Sequence, residues 1–299
     1  MIRPPKLKKG DKIAIVSPSR KISFEEVHPS IKLFQKWGLE VILGAYVFNR
    51  DRQFAGTDLQ RAKDMQTMLD DPSIRAVIAS RGGYGAVRVI DRLDFANFMR
   101  YPKWLAGYSD FTVFHSHVHR HCGIETLHCT MPLNIPEEKV PGEAAESMRK
   151  VLFGEPLYYS IKKNPLNRTG AAEGILTGGN LSILYSLLGS SSQTDTRGKI
   201  LFIEDVDEYL YHIDRMVMAL KRAGMFRELK GLIVGSMHEM KDNAVPYGKT
   251  AFQIVSDAVK EYKYPVCYGF PSGHGPDNLA LVMGRNVRFI VDEEVELGF

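Results

Sequence analysis

Three residue settings in the 299-residue chain could carry acyl-transfer chemistry. The first is Gly107-Tyr108-Ser109-Asp110, which follows an apolar run and precedes a helical one. A serine on so sharp a strand-to-helix turn is exposed. The helix start behind it offers free backbone N–H groups to developing negative charge. This is the logic of a nucleophile elbow, although Phe111 stands where Gly-x-Ser-x-Gly has its second glycine. On the local sequence alone, Ser109 or Asp110 reads more readily as a helix N-cap, since such caps are common. A serine nucleophile needs a base, and the base an orienting carboxylate. Of nine histidines, His274 has the most unusual flanks. Pro271-Ser272-Gly273-His274-Gly275-Pro276 fixes a tight loop with room beside the imidazole, and a plain surface turn has the same composition. The carboxylate is Glu204, the first polar group after the apolar run 199–203, at a strand end where open α/β sheets gather their catalytic groups. With Asp205, Asp207 and Glu208 it could instead hold Mg²⁺ or Ca²⁺, or form a solvated acidic loop.

Two further constellations invite other chemistry. Arg81-Gly82-Gly83-Tyr84-Gly85 can cradle a phosphate, supply oxyanion N–H groups, or simply make a tight turn. It matches neither Gly-x-Gly-x-x-Gly nor a Gly-Lys-Ser/Thr loop. His115, His117, His119 and His121 suggest zinc, but the pairs four apart occupy two different helix faces and cannot form one site.

The elements that must position these groups follow from apolar periodicity. Strands are predicted over 13–16, 39–43, 76–80 and 104–108, alternating with helices over 24–37, 58–69, 87–93 and 111–119. This alternation argues for a Rossmann-like or flavodoxin-like parallel sheet with helices on both faces, spanning 1–135 and carrying Ser109. The stretch 136–174, with Pro136, Pro141, Pro156 and Pro165, holds one predicted helix (143–152) and reads as a connector. A smaller, less regular α/β domain follows over 175–299, with Glu204 and His274 on it. Its helices are predicted over 181–188, 213–223 and 250–261, and its strands over 199–203, 232–234 and 287–291.

Composition narrows the classes. The chain is 44% hydrophobic and 25% charged, which excludes disordered and low-complexity proteins. The net charge of +4 is scattered, so no dense basic face for nucleic acid is expected. No apolar run reaches the ~18 residues of a membrane span, and the start lacks the apolar region of a secretory signal. Three cysteines without a Cys-x-x-Cys fit a reduced, cytoplasmic compartment.

Taken in chain order, the Ser, Glu and His settings and their flanks resemble the serine LD-carboxypeptidases (muramoyltetrapeptide carboxypeptidases), a family that also includes microcin C immunity peptidases. The resemblance also runs through Gly10-Asp11, Ser17-Pro18-Ser19, Ala55-Gly56-Thr57-Asp58, Arg81 to Gly85, Gly179-Asn180-Leu181, Ile213-Asp214-Arg215-Met216 and Gly273-His274-Gly275. It implies a metal- and cofactor-free cytoplasmic peptidase, commonly a homodimer, that removes terminal D-alanine from murein tetrapeptides during cell-wall recycling. By that analogy Ser109 is the nucleophile, His274 the general base and acid, and Glu204 the orienter. The Asp110 N–H and one from the Gly82-Gly83 turn, taken as Gly83, form the oxyanion hole. Arg81, Gly82 and Tyr108 are expected to meet substrate, and Arg81 and Arg88 are the candidates for its free carboxylate. The chain departs from the family where many members read His-Gly-Pro (here His128-Cys129-Thr130) and where relatives often have Gly at Asp207. The rival readings are an acyl-sulfamate-cleaving immunity peptidase, a nucleotide- or sugar-phosphate-binding protein using Arg81 to Gly85, and a metal hydrolase.

Overall fold

The computed structural model describes residues 1–137 and 142–299; Pro141 lies outside them. The first half alternates β1 (Lys12–Val16), α1 (Phe24–Lys36), β2 (Glu40–Leu43), α2 (Asp58–Asp70), β3 (Ile74–Ala79), α3 (Ala96–Arg100), β4 (Trp104–Ala106), α4 (Thr112–His121) and β5 (Thr126–His128). These five strands pair in parallel. Both faces of their sheet are covered, which is why β1 reads as one unbroken apolar run. Ile13 and Ile15 enter the core on one face, and Ala14 and Val16 the core on the other.

Helix α5 (Glu143–Phe153) packs Met148 and Leu152 onto the first of these cores. There follow β6 (Tyr158–Lys162), β7 (Gly170–Asn180), α6 (Leu181–Ser186), β8 (Ile200–Val206), α7 (Leu210–Arg222), β9 (Gly231–His238), α8 (Ala251–Val259), β10 (Val266–Tyr268), β11 (Leu281–Met283), β12 (Asn286–Val291) and β13 (Glu294–Gly298). The second sheet has the order β10-β9-β8-β7-β12-β13-β6. Its β7 to β10 are parallel, while β12, β13 and β6 form an antiparallel extension. The stretch 136–174 thus contributes a helix to the first core and a strand to the second sheet. Strand β11 leaves the second sheet altogether and pairs antiparallel with β5, making the first sheet β11-β5-β4-β3-β1-β2. The chain is mixed α/β with two sheets, as the alternation predicted.

One predicted helix does not form. Residues 87–93 make two 3-10 turns, Ala86–Arg88 and Ile90–Arg92. The segment is short and rich in β-branched Val87, Val89 and Ile90, which crowd the preceding turn of a helix. Helices α1, α2 and α8 start on full capping boxes, Ser23/Glu26, Thr57/Gln60 and Thr250/Gln253. No helix among the described residues is long and apolar enough to cross a membrane.

The two sheets are tied by polar contacts as well as by β11. Arg285, just after β11, binds buried Glu125 through Nη2 at 2.6 Å and Nε at 3.1 Å. Helix α4 docks on the second sheet where Thr112 Oγ1 accepts from the Asn180 N–H at 3.0 Å, and Ser116 meets Thr194 at 2.9 Å. Arg285→Ala would leave the Glu125 carboxylate buried with only Arg3 at 3.7 Å. It is expected to lower the urea-unfolding free energy by about 2–3 kcal/mol, below the ~3–5 typical of a fully broken buried pair because Arg3 remains. A loss under ~0.5 kcal/mol would mean the pair is solvated in solution.

Candidate active site

Past Ala106 the chain turns through Gly107 and Tyr108 into a single 3-10 turn, Ser109–Phe111, which feeds α4. Ser109 takes φ +61°. That left-handed conformation costs a side-chain-bearing residue on the order of 1–3 kcal/mol and persists only where the surroundings enforce it. Neither the 3-10 turn nor α4 has a side-chain cap, so the N-cap alternative for Ser109 and Asp110 is not realised. The Asp110 carboxylate is buried. Its Oδ2 accepts from Ser19 Oγ at 2.5 Å and from the Ala86 N–H at 2.8 Å, pinning the β1 and β3 loops to the elbow. Burial holds this carboxyl above its ordinary range. Gly82 lies hard against the serine: a Cβ there would fall 2.8 Å from Ser109 Cβ and 2.9 Å from Oγ.

Glu204 sits on β8, fully buried. Its Oε2 accepts from His274 Nδ1 at 2.7 Å and from the His274 backbone N–H at 3.2 Å. Gly273 makes this approach possible, because at φ +108° a Cβ would sit 2.6 Å from that same Oε2. The loop is wired internally as well: Asn278 Oδ1 accepts from the Gly273 N–H, and Ser236 Oγ from the Gly275 N–H. Burial pulls the imidazole's pKa down. The charge and hydrogen bond of Glu204, with Asp205 behind it, outweigh that and hold it above its ordinary value. Since Nδ1 faces the carboxylate, Nε2 is the nitrogen left for the cleft.

Ser109 and His274 line one cleft of about 490 Å³, together with Arg20, Arg81, Gly82, Gly83, Tyr108 and Asp110. The sequence-predicted residues are therefore brought together, with Glu204 behind the imidazole rather than on the cleft wall. The Tyr108 ring packs against the His274 ring, centroids 4.8 Å apart, and its hydroxyl meets Asn134 Oδ1 at 3.1 Å. No hydrogen bond joins Ser109 to His274 among the described residues; hydrogen bonds between nucleophile and base are often long before substrate binds and tighten in the complex.

Several expectations resolve differently. Arg88 is not on the cleft; it pairs with Asp58 at 2.7 Å. The turn after Gly85 runs into 3-10 turns and has no full helix to lend a dipole to a phosphate. The acidic stretch is spoken for: Asp207 meets Lys241, Glu208 meets His212, and Asp205 accepts from Asn180, Ser182 and Val206. Burial, reinforced by Glu204, raises Asp205 to about 7. The histidines of α4 split as their spacing requires. His115 bonds Gly107 O and Thr126, while His117 and His121 reach Ser192 and Ser191. Among the described residues no group of three or more His, Cys, Asp or Glu is placed to hold a metal ion.

Two residues escaped the sequence reading. Asn180 caps α6 with its Oδ1, while its Nδ2 bridges Glu204 Oε1 at 3.3 Å and Asp205 Oδ1 at 3.0 Å. Arg20 projects into the cleft from the end of β1. Its place just after a buried strand was the available signal, since ligands gather at such ends.

Comparison with known proteins agrees with this architecture. Residues 13–129 match the model of the LD-carboxypeptidase N-terminal domain, and residues 173–289 that of the LD-carboxypeptidase C-terminal domain. The chain is 33% identical over 289 residues to a probable murein peptide carboxypeptidase of Bacillus subtilis (strain 168), covering 94% of this chain and 89% of that protein. It is 29% identical to the murein tetrapeptide carboxypeptidase of Pseudomonas aeruginosa, covering 92% and 91%. The crystal structure of muramoyltetrapeptide carboxypeptidase from Oxalobacter formigenes superposes with a TM-score of 0.87 at 27% identity, covering 96% and 98%. The microcin C7 self-immunity protein MccF, in complex with aspartyl sulfamoyl adenosine, superposes at 0.86 with 22% identity, covering 100% and 98%, and so shares the fold.

The two glycine approaches can be tested without a substrate. Wild type is expected to be labelled at Ser109 by a fluorophosphonate, read by mass spectrometry. Gly82→Ala and Gly273→Ala, with Tm within a few degrees of wild type, are expected to react about 100-fold more slowly, because a misplacement near 1 Å costs that much. Labelling of both at the wild-type rate would show that neither contact positions the site.

Proposed function

As this chain belongs to the LD-carboxypeptidase family, we propose that it is a serine peptidase that hydrolyses the L-to-D amide bond of murein tetrapeptides and releases terminal D-alanine. The observation that carries this reading is the buried Glu204–His274 pair facing a cleft whose wall bears the strained Ser109. In this reading Ser109 Oγ attacks the amide carbonyl while His274 Nε2 takes its proton. The oxyanion meets the backbone N–H groups of Gly83 and Asp110. His274 then gives the proton to the departing D-alanine amine, and water attacks the acyl-enzyme by the same route. Glu204 fixes the tautomer and stabilises the imidazolium. Arg81, Gly82 and Tyr108 contact the peptide. The cytoplasmic location, the homodimer and the role in cell-wall recycling belong to the same proposal.

Release of D-alanine from a murein tetrapeptide is expected with wild type in the presence of a chelator, and is expected to vanish in Ser109→Ala and in His274→Ala. Release that survives Ser109→Ala would mean a different nucleophile. Cleavage of an acyl-sulfamate, with no D-alanine from a folded wild type, would replace the cell-wall reading with the immunity-type one.

The pH profile tests the carboxylate. His274 must be neutral to act as base, so kcat/KM is expected to rise with pH through an inflection above the ordinary imidazole value. In Glu204→Gln the influences that raise the imidazole are weakened and burial remains. The inflection should move to lower pH, and kcat should fall by about 10²–10⁴-fold. An unmoved inflection would dissociate Glu204 from His274.

A further inference from the structure

We propose that Arg20, with Arg81 beside it, forms the subsite that receives the free terminal carboxylate of the substrate; the inference rests on the carboxypeptidase reading above. The two guanidinium-bearing residues reach the cleft from separate strand ends, Arg20 after β1 and Arg81 after β3, and both border it together with Ser109. The stem of Arg20 packs on Gly83, where a Cβ would lie 2.5 Å from Arg20 Cδ and 2.9 Å from Nε. The Arg20 side chain therefore runs directly past the turn that flanks the serine. Arg81 Nη1 donates to Lys21 O at 3.2 Å, which couples its position to the Arg20 segment. That segment is itself fixed by the bridge between Arg20 and Phe54.

Charge accounting singles out this pair. The acidic side chains on the cleft wall mostly bond elsewhere: Asp205 with three N–H donors, Asp207 with Lys241, Glu208 with His212, and Asp110 with Ser19 and Ala86 through Oδ2, its Oδ1 having no hydrogen-bond partner among the described residues. Arg88 and Arg61 are engaged by Asp58. Among the described residues Arg20 has neither an ion pair nor a side-chain hydrogen bond, and the buried Arg81 Nε has no partner. Two guanidinium groups without an ion pair among the described residues, beside a serine elbow, fit one chemistry above others, a carboxylate bound by paired N–H donors within reach of the scissile bond. Such a contact makes the enzyme cut at a chain end, because an internal amide offers no charge there. It is formed before and during the reaction alike, so its loss belongs in KM more than in kcat.

The experiment compares two tetrapeptides, one with a free C-terminal carboxylate and one with a C-terminal amide. It measures kcat/KM in wild type, Arg20→Ala and Arg20→Lys, and calorimetric binding to Ser109→Ala with and without Arg20→Ala. Wild type is expected to prefer the acid. In Arg20→Ala the acid-over-amide ratio should fall at least ~10-fold, mostly through KM, with partial rescue in Arg20→Lys, which keeps the charge without the planar fork. An acid-over-amide ratio unchanged in Arg20→Ala, or equal binding of both peptides to Ser109→Ala, would overturn the subsite. If binding to Ser109→Ala prefers the acid in an Arg20-dependent way while wild type releases no D-alanine, the subsite stands and the proposed reaction falls.

Discussion

The hydrogen bond between Glu204 and His274 is the constraint on which the site depends. A carboxylate with no exposed surface is tolerated only if its charge is met, and here one imidazole N–H, one backbone N–H and one amide N–H meet it. Each of those donors imposes a demand on the chain. The backbone donor requires residue 273 to lack a Cβ and to take a left-handed turn. The amide donor requires Asn180 at the end of β7, where its side-chain oxygen already caps α6. The carboxylate itself requires the C-terminal half of β8, where a buried strand sets a polar group behind the imidazole. The local sequence around all three positions is the residue of that single electrostatic requirement.

Ser109 stands under a different kind of constraint. Its backbone is strained, and the strain is held by packing rather than by charge. Phe111 and Phe114 stack with centroids 4.7 Å apart beneath the turn, and α4 is clamped to the second sheet through Thr112 and Asn180. Asn180 is thus the residue through which the two halves of the site are registered: its backbone holds the helix behind the serine, and its side chain holds the glutamate behind the histidine.

Much of this was legible in the sequence, and the boundary of legibility has physical causes. Strands buried on both faces, such as β1, β3 and β8, announce themselves as continuous apolar runs. Strands β5, β10 and β11 have three residues each, too few for any period to register. Strand β7 passes through four glycines, and its end at 177–180 reads as a glycine turn. Ser109 and His274 stand out because their flanks are conformationally unusual, and Glu204 because it is the first polar group after an apolar run. The parts played by Asn180 and Arg20 were harder to read, because they depend on the folded chain: one acts by bridging segments 24 and 68 residues away, the other by standing without an ion pair in the cleft, with only its place after a buried strand as a local sign.

The excursion of β11 governs how the molecule can be made. The sheet bearing the serine is completed by a strand beginning at residue 281, so a chain emerging from the ribosome carries an incomplete first sheet until β6 to β10 of the second have been synthesised. The loop with His274 leads directly into that strand. The pairing of β11 with β5 and the placing of His274 against Glu204 are therefore set by one continuous stretch of chain.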